Sequence, residues 1–197
     1  MKKNDITPRN FSVLAEVTEL PTEENGVYTG PAAQTTKTEQ AYYYGTAIKL
    51  GDRSNEEDQC PELKEGDKVV FDQVAGYHLP TEDAFCKLVR GSNIVAIVED
   101  FEDMAKEGNI KPTGKRILVE VIGESLIEGG VWDDTSEDPR ELDTQKGRII
   151  KCAEGADQYE VGTIVGFEPY CGNPIFNDGK TFLKTINSFD VLFSLSE

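Results

Sequence analysis

The sequence predicts an all-β protein made of two tandem small antiparallel barrels, each carrying one long loop. Three observations predict it. Apolar residues fall in short, roughly alternating runs bounded by glycine-rich turns, as half-buried strands require. No segment sustains the 3.6-residue period of an amphipathic helix. And the second half of the chain repeats the first, motif by motif.

The repeat is read from five ordered matches. "ITPRNFSVLAEV" (6–17) answers to "IKPTGKRILVEV" (110–121). "NGVYTG" (25–30) answers to "GGVWDD" (129–134), and "GTAIKLG" (45–51) to "GRIIKCA" (147–153). "LKEGDKVVFDQVAG" (63–76) answers to "YEVGTIVGFEPYCG" (159–172). "FCKLVRGSNIVAIVED" (85–100) answers to "FLKTINSFDVLFSLSE" (182–197). The predicted organisation is one domain over 1–100, a linker over 101–109 and a second domain over 110–197. The acidic joint "EDFEDMAKEGN" (99–109) has room for one or two helical turns and is too short to let the domains wander apart.

The elements follow in order. "FSVLAEV" and "RILVEV" are opening strands, rich in β-branched and aliphatic residues. "EGDKVVFD" places a Gly-Asp turn before an apolar strand, and "VGTIVGFEPY" repeats the plan. "NDGK" (177–180) reads as a hairpin turn, because Asn, Asp and Gly tolerate positive φ. "NIVAIVED" and "DVLFSLSE" are closing strands. Many short strands with regular turns fit a small barrel per copy. Each copy also carries a long, weakly apolar excursion, near 18–44 and 123–146. Excursions of that length inside compact domains are usually functional or disordered.

Composition excludes several function classes. The chain holds 20 basic and 37 acidic residues, a net charge of −17. With no basic run to offset it, that charge repels nucleic acid and anionic membrane surfaces. No apolar run approaches the ~20 residues of a membrane span, and "MKKNDITPRN" has no apolar stretch of a signal peptide. Cys60, Cys86, Cys152 and Cys171 form no C-x-x-C pair, so reduced thiols are expected and no metal site. A cytoplasmic location follows.

Nothing in the sequence points to catalysis. "DGKT" (178–181) has the ending of a phosphate-binding P-loop, but the glycine required five residues before Gly179 is Pro174. His78 is the only histidine, and no nucleophile elbow accompanies it, so no triad can be built. Carboxylates abound, as an acidic surface demands, and no pair stands out for acid–base work. Neither catalytic residues nor a cofactor are expected.

The excursions hold the candidate binding residues. In each, glycine precedes a Val-aromatic pair: Gly26-Val27-Tyr28 followed by Thr29, and Gly129-Gly130-Val131-Trp132. Trp132 is the only tryptophan, and between Glu124 and Lys146 there are eight acids and two bases. A sparse apolar pair on a polar tether suits a docking peptide. It equally suits an anchor that folds Trp132 back onto its own barrel, and the residues alone are balanced between the two.

Taken in order, these motifs resemble the GroES-type co-chaperonins of the chaperonin-10 family. That family opens on an Ile-x-Pro strand and carries Gly-Gly-Ile-Val-Leu in a mobile loop. Gly-x-Val and Val-Gly-Asp-x-Val-x-Phe strands follow, then Tyr-Ala-Gly, and it closes on Asp-Ile-Leu-Ala-Ile-Val-Glu. Here "ITPRNFSVLAEV", "NGVYTG", "GTAIKLG", "LKEGDKVVF", "AGYHLP" and "NIVAIVED" keep that order, and the second copy keeps it again with "IKPTGKRILVEV", "EGGVWDD", "GRIIKC", "YEVGTIVGF", "YCG" and "FDVLFSLSE". The apolar edge of the loop is shortened to Val27-Tyr28 and Val131-Trp132. Copy one has room for the family's roof hairpin in 51–63, whereas the matching stretch 152–162 is shorter.

The resemblance implies two GroES-like barrels that assemble into a homo-oligomeric ring. It implies that Gly26–Thr29 and Gly129–Trp132 dock on the apical domains of a GroEL-type chaperonin. The ring then caps the chamber and shelters an unfolded client during ATP-dependent folding, hydrolysing nothing itself. It places Tyr170 on the cavity side, with Val74 at the matching position of copy one. The drift of both copies, with no transit peptide before Met1, points to a bacteriophage protein acting in the host cytoplasm. The competing function is a virion or assembly protein that reuses the barrel and binds no chaperonin. Medium-chain alcohol dehydrogenases contain a related domain, but their Gly-x-Gly-x-x-Gly half and metal ligands are missing here.

Overall fold

A computed structural model describes residues 2–18, 23–24, 27–28, 42–52, 60, 62–72, 75–82, 84–101, 103–104, 106, 108–122, 145–168, 171–177 and 181–195. The first half contains β1 (Ser12–Thr18), β2 (Glu23–Glu24), β3 (Val27–Tyr28), β4 (Tyr42–Leu50), β5 (Lys68–Asp72), β6 (Tyr77–Pro80), β7 (Phe85–Arg90) and β8 (Ile94–Val98). The second contains β9 (Ile110–Pro112), β10 (Arg116–Ile122), β11 (Gln145–Cys152), β12 (Ile164–Phe167), β13 (Asn173–Asn177), β14 (Phe182–Asn187) and β15 (Val191–Leu195). Among the described residues only short 3-10 turns interrupt the strands, and no described helix is long and apolar enough to cross a membrane. The all-β expectation holds.

Two antiparallel sheets carry the repeat. One runs β6-β7-β1-β4-β5-β8-β9 and the other β13-β14-β10-β11-β12-β15. The registers around the opening strands match position by position, whereas β13–β14 carries an irregularity at Pro174/Phe176 that β6–β7 lacks. β1 meets β4 with Val17 opposite Gly45, and β10 meets β11 with Val121 opposite Gly147. Each pairing is irregular at the corresponding place, Leu14/Ala15 and Leu118/Val119. The turn ahead of each opening strand is left-handed at matching residues, Asn10 (φ 53°) and Gly114 (φ 66°). Asparagine is among the few residues with a side chain that enter this region readily, so the turn survives the change from glycine.

Alternation along the strands builds three apolar clusters. Val13 and Ala15 of β1 pack with Val69, Phe71, Val89 and Ile94 inside the first barrel. Ile117 and Val119 of β10 do the same with Ile149, Val165, Phe167 and Ile186 in the second. The third cluster belongs to neither. Tyr44, Val70, Val95, Ala96, Val98, Met104 and Ile110 pack with Leu118, Ile175 and Leu183. At about 1.5–3 kcal/mol for each fully buried aliphatic side chain, this shared cluster favours two docked barrels over two tethered ones.

The joint is a packed turn rather than a helix among its described residues. Asn109, 4% exposed, organises it. Its Oδ1 accepts from the Asp100 amide at 2.6 Å, and its Nδ2 donates to the carbonyls of Asp100 and Asp103 at 2.6 and 2.5 Å. This turn feeds β9 back antiparallel onto β8, with Val98 opposite Ile110 and Ala96 opposite Pro112. Residues 110–112, which the sequence repeat assigns to the second domain, therefore sit in the first sheet. The reason is geometric: β8 offers an open edge, and a short turn delivers the next extended segment to it.

Candidate functional loops and the junction between barrels

Both excursions leave their sheets at equivalent stems. The first begins and ends on paired strands with Thr18 opposite Tyr44, the second with Ile122 opposite Lys146. Antiparallel pairing keeps the two ends of each loop adjacent, so a long insertion leaves the barrel core unchanged. In the first loop, β2 and β3 form a small ribbon with Glu23 opposite Tyr28 and Glu24 opposite Val27. Val27 and Tyr28 thus lie on a strand, with Asn25-Gly26 between the two strands in the sequence. Asn-Gly flanked by extended residues is the strongest short hairpin signal, and it was available for predicting this ribbon. Gly26, Thr29, Gly129, Gly130, Val131, Trp132, Val74 and Tyr170 lie outside the described residues, as does the centre of the 177–180 turn.

The second stem is anchored by a buried cation. Lys184, 5% exposed on β14, donates at 3.2 Å to Oε1 of Gln145, the first residue of β11. Its ammonium also lies 5.5 Å from the ring centroid of Phe167, a cation–π arrangement. Lys87 is buried at the corresponding place in the first barrel.

Polar groups at the junction bind one barrel to the other. The Tyr44 hydroxyl donates to the Ile175 carbonyl at 2.9 Å. Arg116 of β10 reaches across to the first barrel, donating at 2.8 Å to the carbonyl of Ser92 in the 3-10 turn before β8 and at 3.3 Å to that of Ile94, the first residue of β8. Burial pushes this guanidinium below the ordinary arginine value, and neighbouring Cys60 and Glu62 pull it back up. Its buried Nε makes no hydrogen bond. The Gly114 amide donates to Oε1 of Glu62 at 3.3 Å. None of these partners was predictable from local sequence, because each bond joins residues distant along the chain.

Between β11 and β12 the second copy has only the 3-10 turn Glu154–Ala156 and a further turn, with no strand. None of the four cysteines is in a disulfide, and two are buried and two half-buried. Among the described residues no group of three His, Cys, Asp or Glu side chains could hold a metal ion.

The fold therefore defines a class: a tandem small-barrel protein with a long insertion at the equivalent place in each barrel. Residues 5–98 match the family model described as chaperonin 10 kDa subunit. Among curated proteins, the co-chaperonin GroES of Geobacillus stearothermophilus is 37% identical over 81 residues, covering 38% of this chain and 86% of that protein. The co-chaperonin GroES of Parageobacillus thermoglucosidasius is 35% identical over 81 residues, with the same coverage. The chain belongs to the chaperonin-10 family. The family match ends at residue 98, and the shared strand register extends the same plan to the second half.

Proposed function

We propose that this chain is a co-chaperonin: a non-enzymatic protein that caps the folding chamber of a GroEL-type chaperonin and assists ATP-dependent folding of an enclosed client. Membership of the chaperonin-10 family carries the reading, and the equivalent loop stems at Thr18/Tyr44 and Ile122/Lys146 support it. The docking residues are Gly26, Val27, Tyr28 and Thr29 in one loop and Gly129, Gly130, Val131 and Trp132 in the other. Val74 and Tyr170 face the chamber. The working units are a barrel with a roof over 1–100 and a barrel with a shortened roof over 110–197, joined by 101–109. The protein acts in the cytoplasm as a homo-oligomeric ring, without a cofactor.

Energetics suit this design. Ordering a loop costs about 1–2 kcal/mol per residue, while one buried large apolar side chain returns about 1.5–3 kcal/mol. A single loop with one Val-aromatic pair binds weakly. Several loops on one ring gain about 10²–10⁴ in avidity, and release stays easy.

The test is co-elution of the full chain with a GroEL-type chaperonin, with and without ATP. Nucleotide-dependent co-elution is expected. Its absence under conditions where the GroES of Geobacillus stearothermophilus binds its own chaperonin would overturn the proposal.

A further inference from the structure

The interior of the second barrel contains a residue that is costly to bury and that touches the root of a loop. Lys184 lies opposite Val119 in the apolar lining of the barrel, 5% exposed. An ammonium in such a place is expensive unless its bonds are made. The sheet order is β13-β14-β10-β11-β12-β15, so the Lys184 side chain passes over β10 to reach Gln145 on β11 and Phe167 on β12. It ties together strands that are not neighbours in the sheet.

Both contacts lie at the root of the second loop. Gln145 and Phe167 are directly paired. The Phe167 ring presses on bare backbone at Gly147, where a Cβ would come within 3.1 Å of ring atom Cε1. Gly147 pairs with Val121, and the next pair, Ile122 with Lys146, is the last before the loop. A continuous line of contact thus runs from the ammonium through the ring to the strand pair from which the loop departs.

The first barrel has the same parts. Lys87 is 1% exposed opposite Ala15, and a Cβ on Gly45 would lie 3.3 Å from Cε1 of Phe71. What differs is the residue opposite the phenylalanine: Gln145 in the second barrel, Tyr43 in the first. A side chain kept for packing alone needs no ammonium, because an apolar one of similar length fills the space at lower cost. The amide oxygen of Gln145 gives the ammonium a directed, charge-assisted bond.

We infer that Lys184 is a positioning residue for the second loop: by holding Gln145 and Phe167 it fixes the strand pair at which the loop leaves the barrel. A fixed root shortens the span that must be ordered when the loop docks, and ordering is a main cost of such binding. That the loop docks on a chaperonin is taken from the proposed function; that Lys184 sets its root does not depend on it.

The experiment is hydrogen exchange on the full chain, followed amide by amide. Lys184→Met keeps a similar length and removes the charge. This variant is expected to melt at or above the temperature of the native sequence. Its amides at Val121 and at residues 145–147 are expected to exchange about 10-fold faster, as loss of one bond to a charged group implies. Amides of β14 keep their native rates. Gln145→Leu is expected to loosen the same amides by the same factor, and the double variant no further, because both changes remove one bond. Gln145→Glu, which gives the ammonium a carboxylate, is expected to slow them. Unchanged root exchange in Lys184→Met or in Gln145→Leu overturns the inference. So does faster exchange through all strands with a lower melting temperature, which marks a packing residue only. Weaker co-elution of Lys184→Met with a GroEL-type chaperonin is expected to accompany the looser root. A native chain that does not co-elute defeats the proposed function, and the exchange rates still decide the role of Lys184.

Discussion

The Tyr44 hydroxyl and the Ile175 carbonyl, 131 positions apart, are joined by a 2.9 Å hydrogen bond that crosses from the first barrel to the second. Tyr44 is 5% and Ile175 is 1% exposed. The Tyr44 ring also meets Phe101 of the joint edge-on, with centroids 5.5 Å apart. One side chain thus touches the first barrel, the joint and the second barrel.

Tyr44→Phe keeps the ring contacts and leaves a buried carbonyl without this donor. The expected loss is about 1–2 kcal/mol. A lower denaturant midpoint with an unchanged slope is the result to look for. An unchanged midpoint would mean that the bond contributes nothing to docking of the barrels.

Gly166 and Phe193 form a directly opposed pair, and a Cβ on Gly166 would overlap the Phe193 ring. The corresponding pair in the first barrel is Val70 and Ala96. Bulk has moved from one strand to the other. Gly166→Val is expected to destabilise by about 1–3 kcal/mol through overpacking. Adding Phe193→Ala, which restores the first barrel's arrangement, is expected to recover most of it, as a double-mutant cycle would measure.

Asn109→Ala removes three hydrogen bonds that shape the joint. At about 1 kcal/mol net each, the loss should reach about 2–3 kcal/mol. Faster proteolytic cleavage within 99–109 should accompany it. Cleavage at the wild-type rate would show that β8–β9 pairing holds the joint unaided.

Burial pushes the thiols of Cys152 and Cys171 above the ordinary cysteine value; for Cys171, Lys184 opposes the shift while Asp190 and Glu168 add to it. Alkylation of the folded protein near pH 8 should therefore be slower than that of the unfolded chain. Above ~8.5 the unfolded thiols lose protons first, so this stability is present below that pH and lost as pH rises through the raised folded values. The denaturant midpoint should fall on going from about pH 7.5 to about pH 9.5, and fall less in a Cys152→Ala/Cys171→Ala variant.

Trp132→Ala and Tyr28→Ala separate the two loops. Loss of co-elution with chaperonin, without loss of cooperative melting, is expected for the loop that docks. A Trp132→Ala variant that melts non-cooperatively would instead identify Trp132 as an anchor on its own barrel.

Much of this was legible in the sequence because it is local. Alternation in "RILVEV" and "NIVAIVED" marks strands, and turn residues mark their ends. The matched motifs locate both loop stems. The β2–β3 ribbon was legible too, through Asn25-Gly26, although the segment is so poor in apolar residues that no strand alternation marks it. Asn109 was not legible: as a polar residue before a strand it looks like any linker asparagine, and only the closed turn shows its amide meeting Asp100 and Asp103.

By itself, the sequence determined that the chain makes two like barrels with a long loop each, because strand period and turn chemistry act over a few residues and recur in order. Tertiary structure alone decided where one barrel ends and the other begins. β9 joins the first sheet, and Leu118, Ile175 and Leu183 complete a core begun by Tyr44, Val70 and Val98. Strand edges and apolar faces find partners by shape and proximity in space, and no local spacing encodes which edge will be open when the next strand arrives.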